Sequence, residues 1–178
     1  MKKLILIMGL IVFASCQQNP KMNDNINPFF QEWNTQYQVP PFLQIKDEHY
    51  MPAFEKGMEE NLAEIDSIVN NPEEPTFENT IEELERTGKL LTKVQRVFSN
   101  LAGSNTNPKL QELQRELSPM ISAHYDKIAL NEGLFLRVES IWNNRENFSL
   151  TDEQVKLLKD TRKQFIRDCL FLSKREIF

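Results

Sequence analysis

The side chains best equipped for chemistry in this chain are two histidines, two cysteines and many carboxylates. Two imidazoles four residues apart on one helical face, with a Glu beside the first, would hold zinc and activate water. His49 is followed four positions later by Ala53, so that pattern is absent, and His49 reads as a solvent-side residue at a helix start. His124 shares an apolar face with Ile121 and Ile128, which makes it a core or rim histidine satisfied by one hydrogen bond. A reactive thiolate needs a cationic neighbour; Arg167, two positions from Cys169, points elsewhere on a helix. Glu59, Glu60, Glu82, Glu83 and Glu85 fall opposite apolar stripes, and Glu82 with Arg86 and Glu85 with Lys89 have the spacing of solvated helical pairs. No Gly-rich phosphate loop occurs. The predicted catalytic and metal residues are therefore none.

The elements that carry these residues read as helices. Tyr50, Phe54, Met58, Leu62, Ile65 and Val69 recur every three or four positions, with Asp47 and Glu48 at the start and Pro52 tolerated nearby. Residues 70–75 form a loop rich in Asn and Pro. A second helix starts between Thr76 and Thr80, with Thr80 and Glu83 matching a capping box. Its stripe, Ile81, Leu84, Gly88, Leu91, Val94, Phe98 and Leu101, runs to the neighbourhood of Gly103. Asn107-Pro108 opens a third helix along Leu110, Leu113, Leu117 and Ile121, with a kink expected at Pro119. Asn131 caps a fourth through Leu134, Val138 and Ile141, and Thr151 with Gln154 boxes the start of a fifth. No segment alternates with period two. The fold class is all-α, an antiparallel array of about five helices. Phe29, Phe30, Trp33 and Phe42 read as an extended segment laid against them.

The chain begins with Lys2, Lys3 and an apolar run from Leu4 to Ala14, too short to span a bilayer and typical of a secretory leader. Phe13-Ala14-Ser15-Cys16 is similar to a bacterial lipobox, with Phe13 departing from the usual Leu or Val. This predicts residues 1–15 as a leader, lipidation at Cys16, residues 16–27 as a polar tether, and an exported lipoprotein facing the periplasm or cell surface. The whole sequence carries a net charge of −5. That acidity argues against nucleic acid as a partner.

Several blocks resemble the N-terminal region of the peptidyl-dipeptidase, thimet oligopeptidase and neurolysin family of zinc peptidases. They are Asn27-Pro28-Phe29-Phe30, Pro40-Pro41-Phe42-Leu43 and Glu48-His49-Tyr50-Met51-Pro52. The most specific are Thr76, Phe77, Glu78, Asn79 and Thr80, then Asn100, Leu101, Ala102 and Gly103. The resemblance runs from about Asn27 to Asp168, so residues 28–168 are read as one N-terminal helical domain. It implies that these helices form a wall of a channel for short peptides. It implies that zinc, held by a His-Glu-x-x-His helix and a later Glu, belongs to a catalytic half whose positions do not occur here. The motif residues above are accordingly structural, the chain alone is expected to be inactive, and the missing half is a conceivable partner.

Residues 169–178 depart from the family pattern. They look like the product of a frameshift or truncated gene, against the rival of a short helical lipoprotein that binds peptides or a partner protein without cutting.

Overall fold

The computed structural model describes residues 26–175, with side chains through residue 168. The predicted leader, the lipidation site Cys16, most of the tether, and the Cys169 side chain lie outside the described residues. Six α-helices are described: α1 (Tyr50–Val69), α2 (Glu83–Arg86), α3 (Lys89–Ser104), α4 (Pro108–Ala129), α5 (Glu132–Asn143) and α6 (Asp152–Arg175). Five of them are long, there is no strand among the described residues, and the all-α expectation holds. No described helix is long and apolar enough to cross a membrane.

Local sequence sets most helix starts. Asn107 accepts from the Leu110 N–H at 2.8 Å, with Pro108 in the first turn where its missing N–H costs nothing. Asn131 accepts from the Leu134 N–H at 2.9 Å. Thr151 and Gln154 form the expected reciprocal box, at 3.0 and 3.3 Å. Helix α4 runs through Pro119 as one element.

The second predicted helix is corrected in two places. Its capping box is Thr76 with Asn79: the Asn79 N–H donates to Thr76 Oγ1 at 3.1 Å, and the Thr76 N–H to Asn79 Oδ1 at 2.9 Å. Thr80 lies inside the turn that Thr76 caps, so it is not the N-cap that the Thr80–Glu83 spacing suggested. The first turn, Phe77–Glu82, is a wide π turn leading into α2. The helix then breaks at Thr87-Gly88, where Gly88 takes φ +67°, a left-handed conformation that favours glycine. The break removes the register that Glu85 and Lys89 needed, whereas the expected Glu82–Arg86 pair forms at 2.9 Å, and Arg86 also binds Glu83 at 2.6 Å.

Two apolar clusters result. The first joins Phe29, Tyr50, Phe54, Leu91, Phe98 and Leu113. The second joins Ile65, Phe77, Ile81, Leu134, Ile141 and Leu158. Helix α1 feeds both, and it packs most extensively along α3. The approach is close at Gly57, where a Cβ would lie 2.9 Å from the Leu91 backbone. Of the aromatic N-terminal segment, Phe29 is buried against Tyr50 at 5.4 Å, whereas Phe30 and Phe42 are partly exposed. The segment is pinned by Lys93, whose ammonium donates to the carbonyls of Phe29 and Gln31 at 3.0 and 2.8 Å and sits over the Trp33 ring.

Candidate functional site

The Thr76–Thr80 block is a structural knot. Asn79 Oδ1 accepts from the Thr76 N–H, from Thr80 Oγ1 at 2.9 Å and from Arg137 Nη2 at 3.0 Å. Arg137, nearly buried on α5, also donates to Thr80 Oγ1 at 3.2 Å and to the carbonyls of Asn71 and Glu73 at 3.0 and 3.3 Å. A planar guanidinium can reach all of these acceptors at once, and so closes the 70–75 loop over the π turn. Burial pulls the guanidinium below its ordinary value, with Glu74 and Glu73 opposing. Phe77 is buried in the second cluster, and Glu78 faces solvent.

The Asn100–Gly103 block lies elsewhere. Asn100 and Gly103 are exposed on the last turns of α3, while Leu101 and Ala102 lie half-buried against the first cluster. The two motif blocks therefore support different clusters and form no joint site.

His124 is buried, and its Nε2 lies 2.8 Å from Asn61 Oδ1, the single hydrogen bond expected of it. Nδ1 is buried without a partner among the described residues. Burial holds the imidazole below its ordinary value, and the Lys127 charge adds to this. The Asn61 amide also packs where a Cβ on Gly88 would stand, 3.2 Å away, and the Gly88 N–H donates to Glu64 Oε2 at 2.7 Å. His49 ends the turn before α1 and accepts the Lys46 N–H at Nδ1, 3.0 Å away. Neither histidine stands in a group of three or more His, Cys, Asp or Glu side chains that could hold a metal, and no such group occurs among the described residues.

Sequence reasoning missed Arg137, Asn61 and Gly57. Each left a trace, since Arg137 interrupts the apolar stripe between Leu134 and Ile141, and Gly57 and Asn61 sit at four-residue spacing between Ala53 and Ile65. A polar side chain on a core-facing stripe signals a buried network.

The surface carries open grooves. One of about 350 Å³, between α1 and the 79–89 segment, mixes Glu64 and Glu83 with Arg86 and Lys89. Another, of about 470 Å³, lies between α2, α4 and α6, with Leu84, Ile128, Leu157 and Phe165 in its lining and Glu85, Asp160 and Asp168 around them.

No family model matches the chain. Its similarity is to peptidases. It is 39% identical over 141 residues to the dipeptidyl carboxypeptidase of Escherichia coli, covering 79% of this chain and 21% of that protein. The dipeptidyl carboxypeptidase of Salmonella typhimurium is likewise 39% identical over 140 residues, with 79% and 21% covered. Oligopeptidase A of Salmonella typhimurium is 24% identical over 131 residues, covering 74% of this chain and 19% of its own length. The chain is thus homologous to dipeptidyl carboxypeptidase and oligopeptidase A, and it spans about a fifth of the length of the curated relatives it matches.

Proposed function

We propose that this chain is the non-catalytic, channel-wall region of a peptidyl-dipeptidase-like system: its helices contact short peptides, and a zinc-bearing half not contained in it carries out hydrolysis. In the intact enzyme that reaction would release dipeptides from the C-terminal end. The observation that carries this reading is the 39% identity to dipeptidyl carboxypeptidases over 141 residues. The chain acts outside the cytoplasm, held to a membrane by lipid on Cys16, a position that the Ala14-Ser15-Cys16 sequence supports.

The test is incubation of the purified protein with short N-blocked peptides, with and without a zinc chelator. No dipeptide release is expected; chelator-sensitive release would sink the proposal. In cells, the wild-type protein should fractionate with membranes and Cys16→Ser should not. Equal partitioning of the two would remove the anchor from the reading.

A second reading is a self-sufficient helical lipoprotein that binds peptides or a protein partner without cutting them. It is favoured by the two apolar clusters, which the six helices close together with Phe29 and the Phe77–Glu82 turn. A monodisperse purified chain supports it; aggregation through faces meant for a missing half counts against it.

A further inference from the structure

We propose that the groove between α2, α4 and α6 binds a peptide in which an apolar side chain neighbours a lysine or arginine. This rests on the peptide-contacting reading above and specifies the class of peptide.

The groove has the size and lining of a ligand site, about 470 Å³ with an apolar interior. Phe165 forms a buried part of that lining and is set by the Phe135 ring, 6.0 Å away between centroids. Tyr125 flanks it, 45% exposed, with its hydroxyl donating to Gln95 at 3.0 Å. Its ring forms one wall. An exposed aromatic wall beside a buried aromatic surface suits one apolar side chain.

Charge decides what must accompany that side chain. Glu85, Asp160 and Asp168 line the groove, and no lysine or arginine does among the described residues. Glu85 and Asp160 are exposed, and neither is ion-paired among the described residues. Asp168 is occupied by the Gln164 amide at 2.9 Å, which leaves Glu85 and Asp160 as the receiving carboxylates. Two other grooves do not have this character. The one beside α1 mixes both signs, and the one at Trp33 sets Glu85 against Lys89, Lys93 and Arg96. An acidic rim around an apolar interior disfavours an acidic or purely polar peptide and leaves a cation next to an apolar side chain as the complementary occupant.

The experiment uses the full chain and three fluorescein-labelled probes, Ala-Phe-Lys-Ala, Ala-Phe-Gln-Ala and Ala-Phe-Glu-Ala, followed by fluorescence anisotropy. The lysine peptide is expected to bind about fivefold tighter than the glutamine peptide at low salt, and the advantage should fade at high salt. The double variant Glu85→Gln, Asp160→Asn should abolish the preference. Both positions are exposed, and circular dichroism checks that the variant keeps its helices. If the three peptides bind equally, or the preference survives in the variant, the groove proposal fails while peptide contact stands. If no probe binds, both readings fail. A concentration-dependent dimer that excludes the lysine peptide would show a second copy as the occupant and overturn the proposal.

Discussion

Arg137 and Asn79 show how much of this fold rests on single side chains. Removing the guanidinium takes a donor from Thr80 Oγ1 and Asn79 Oδ1, which keep their bond to each other, and from the carbonyls of Asn71 and Glu73. Arg137→Ala should therefore destabilise the protein by about 3 kcal/mol in urea unfolding, with Arg137→Lys recovering little because an ammonium cannot span the same acceptors. A loss below about 1 kcal/mol would mean that the loop carbonyls find other partners. His124 sets a pH dependence. Its folded imidazole is held below the ordinary value by burial and by Lys127, so the unfolded chain takes up the proton first as pH falls. That contribution to stability is complete above about pH 6.5 and declines as pH drops toward the folded value. The decline in stability between neutral pH and mildly acid pH should be steeper in the wild type than in His124→Gln. Identical slopes would show that His124 titrates normally.

Among the elements, the pairing of α1 with α3 depends on two glycines that do different jobs. Gly57 lets the helices touch, because a Cβ there would lie 2.9 Å from backbone atoms of Leu91. Gly88 supplies the left-handed turn that ends the α2 direction and starts α3. Gly57→Ala gains helix propensity but must push α3 away, a net loss of about 1–2 kcal/mol. Gly103, inside the last turn of α3, has nothing within 4 Å of an added Cβ. Gly103→Ala should stabilise by about 0.5–1 kcal/mol. Thermal melts of the two variants against the wild type read both signs, and a stabilised Gly57→Ala would contradict the close approach.

For the whole molecule the question is whether two apolar clusters make one cooperative unit. Helix α1 contributes Tyr50 and Phe54 to the first and Ile65 and Ile68 to the second, and α4 touches both through Leu113 and Ile128. A rigid helix shared by two clusters couples their unfolding. The two tryptophans report on them separately: Trp33 packs on the first cluster, and Trp142 packs on the second beneath Arg145, which lies 4.5 Å from its ring. Single-tryptophan versions made by Trp33→Phe and Trp142→Phe should unfold at the same denaturant midpoint as the far-ultraviolet signal. Separated midpoints would divide the molecule at the middle of α1.

Helix existence was legible in the sequence because periodicity and caps act over a few residues. Asn107, Asn131 and Thr151 with Gln154 hold the ends expected of them, and His124 lies on the buried face that its spacing implied. The Thr76–Thr80 motif was visible as a resemblance, but its physical role was not, because its central partner is Arg137, 57 residues from Thr80. The break at Gly88 was hidden for the same reason: an apolar stripe continues across it, and only Asn61, Glu64 and the Gly57 contact with Leu91 require the chain to turn there. The acidic-rimmed groove draws on three helices distant in sequence. Local hydrogen bonding and side-chain periodicity determined the helices from the sequence by itself. Which faces meet, and which polar groups they bury together, was decided by tertiary packing, where closeness of approach depends on residues far apart along the chain.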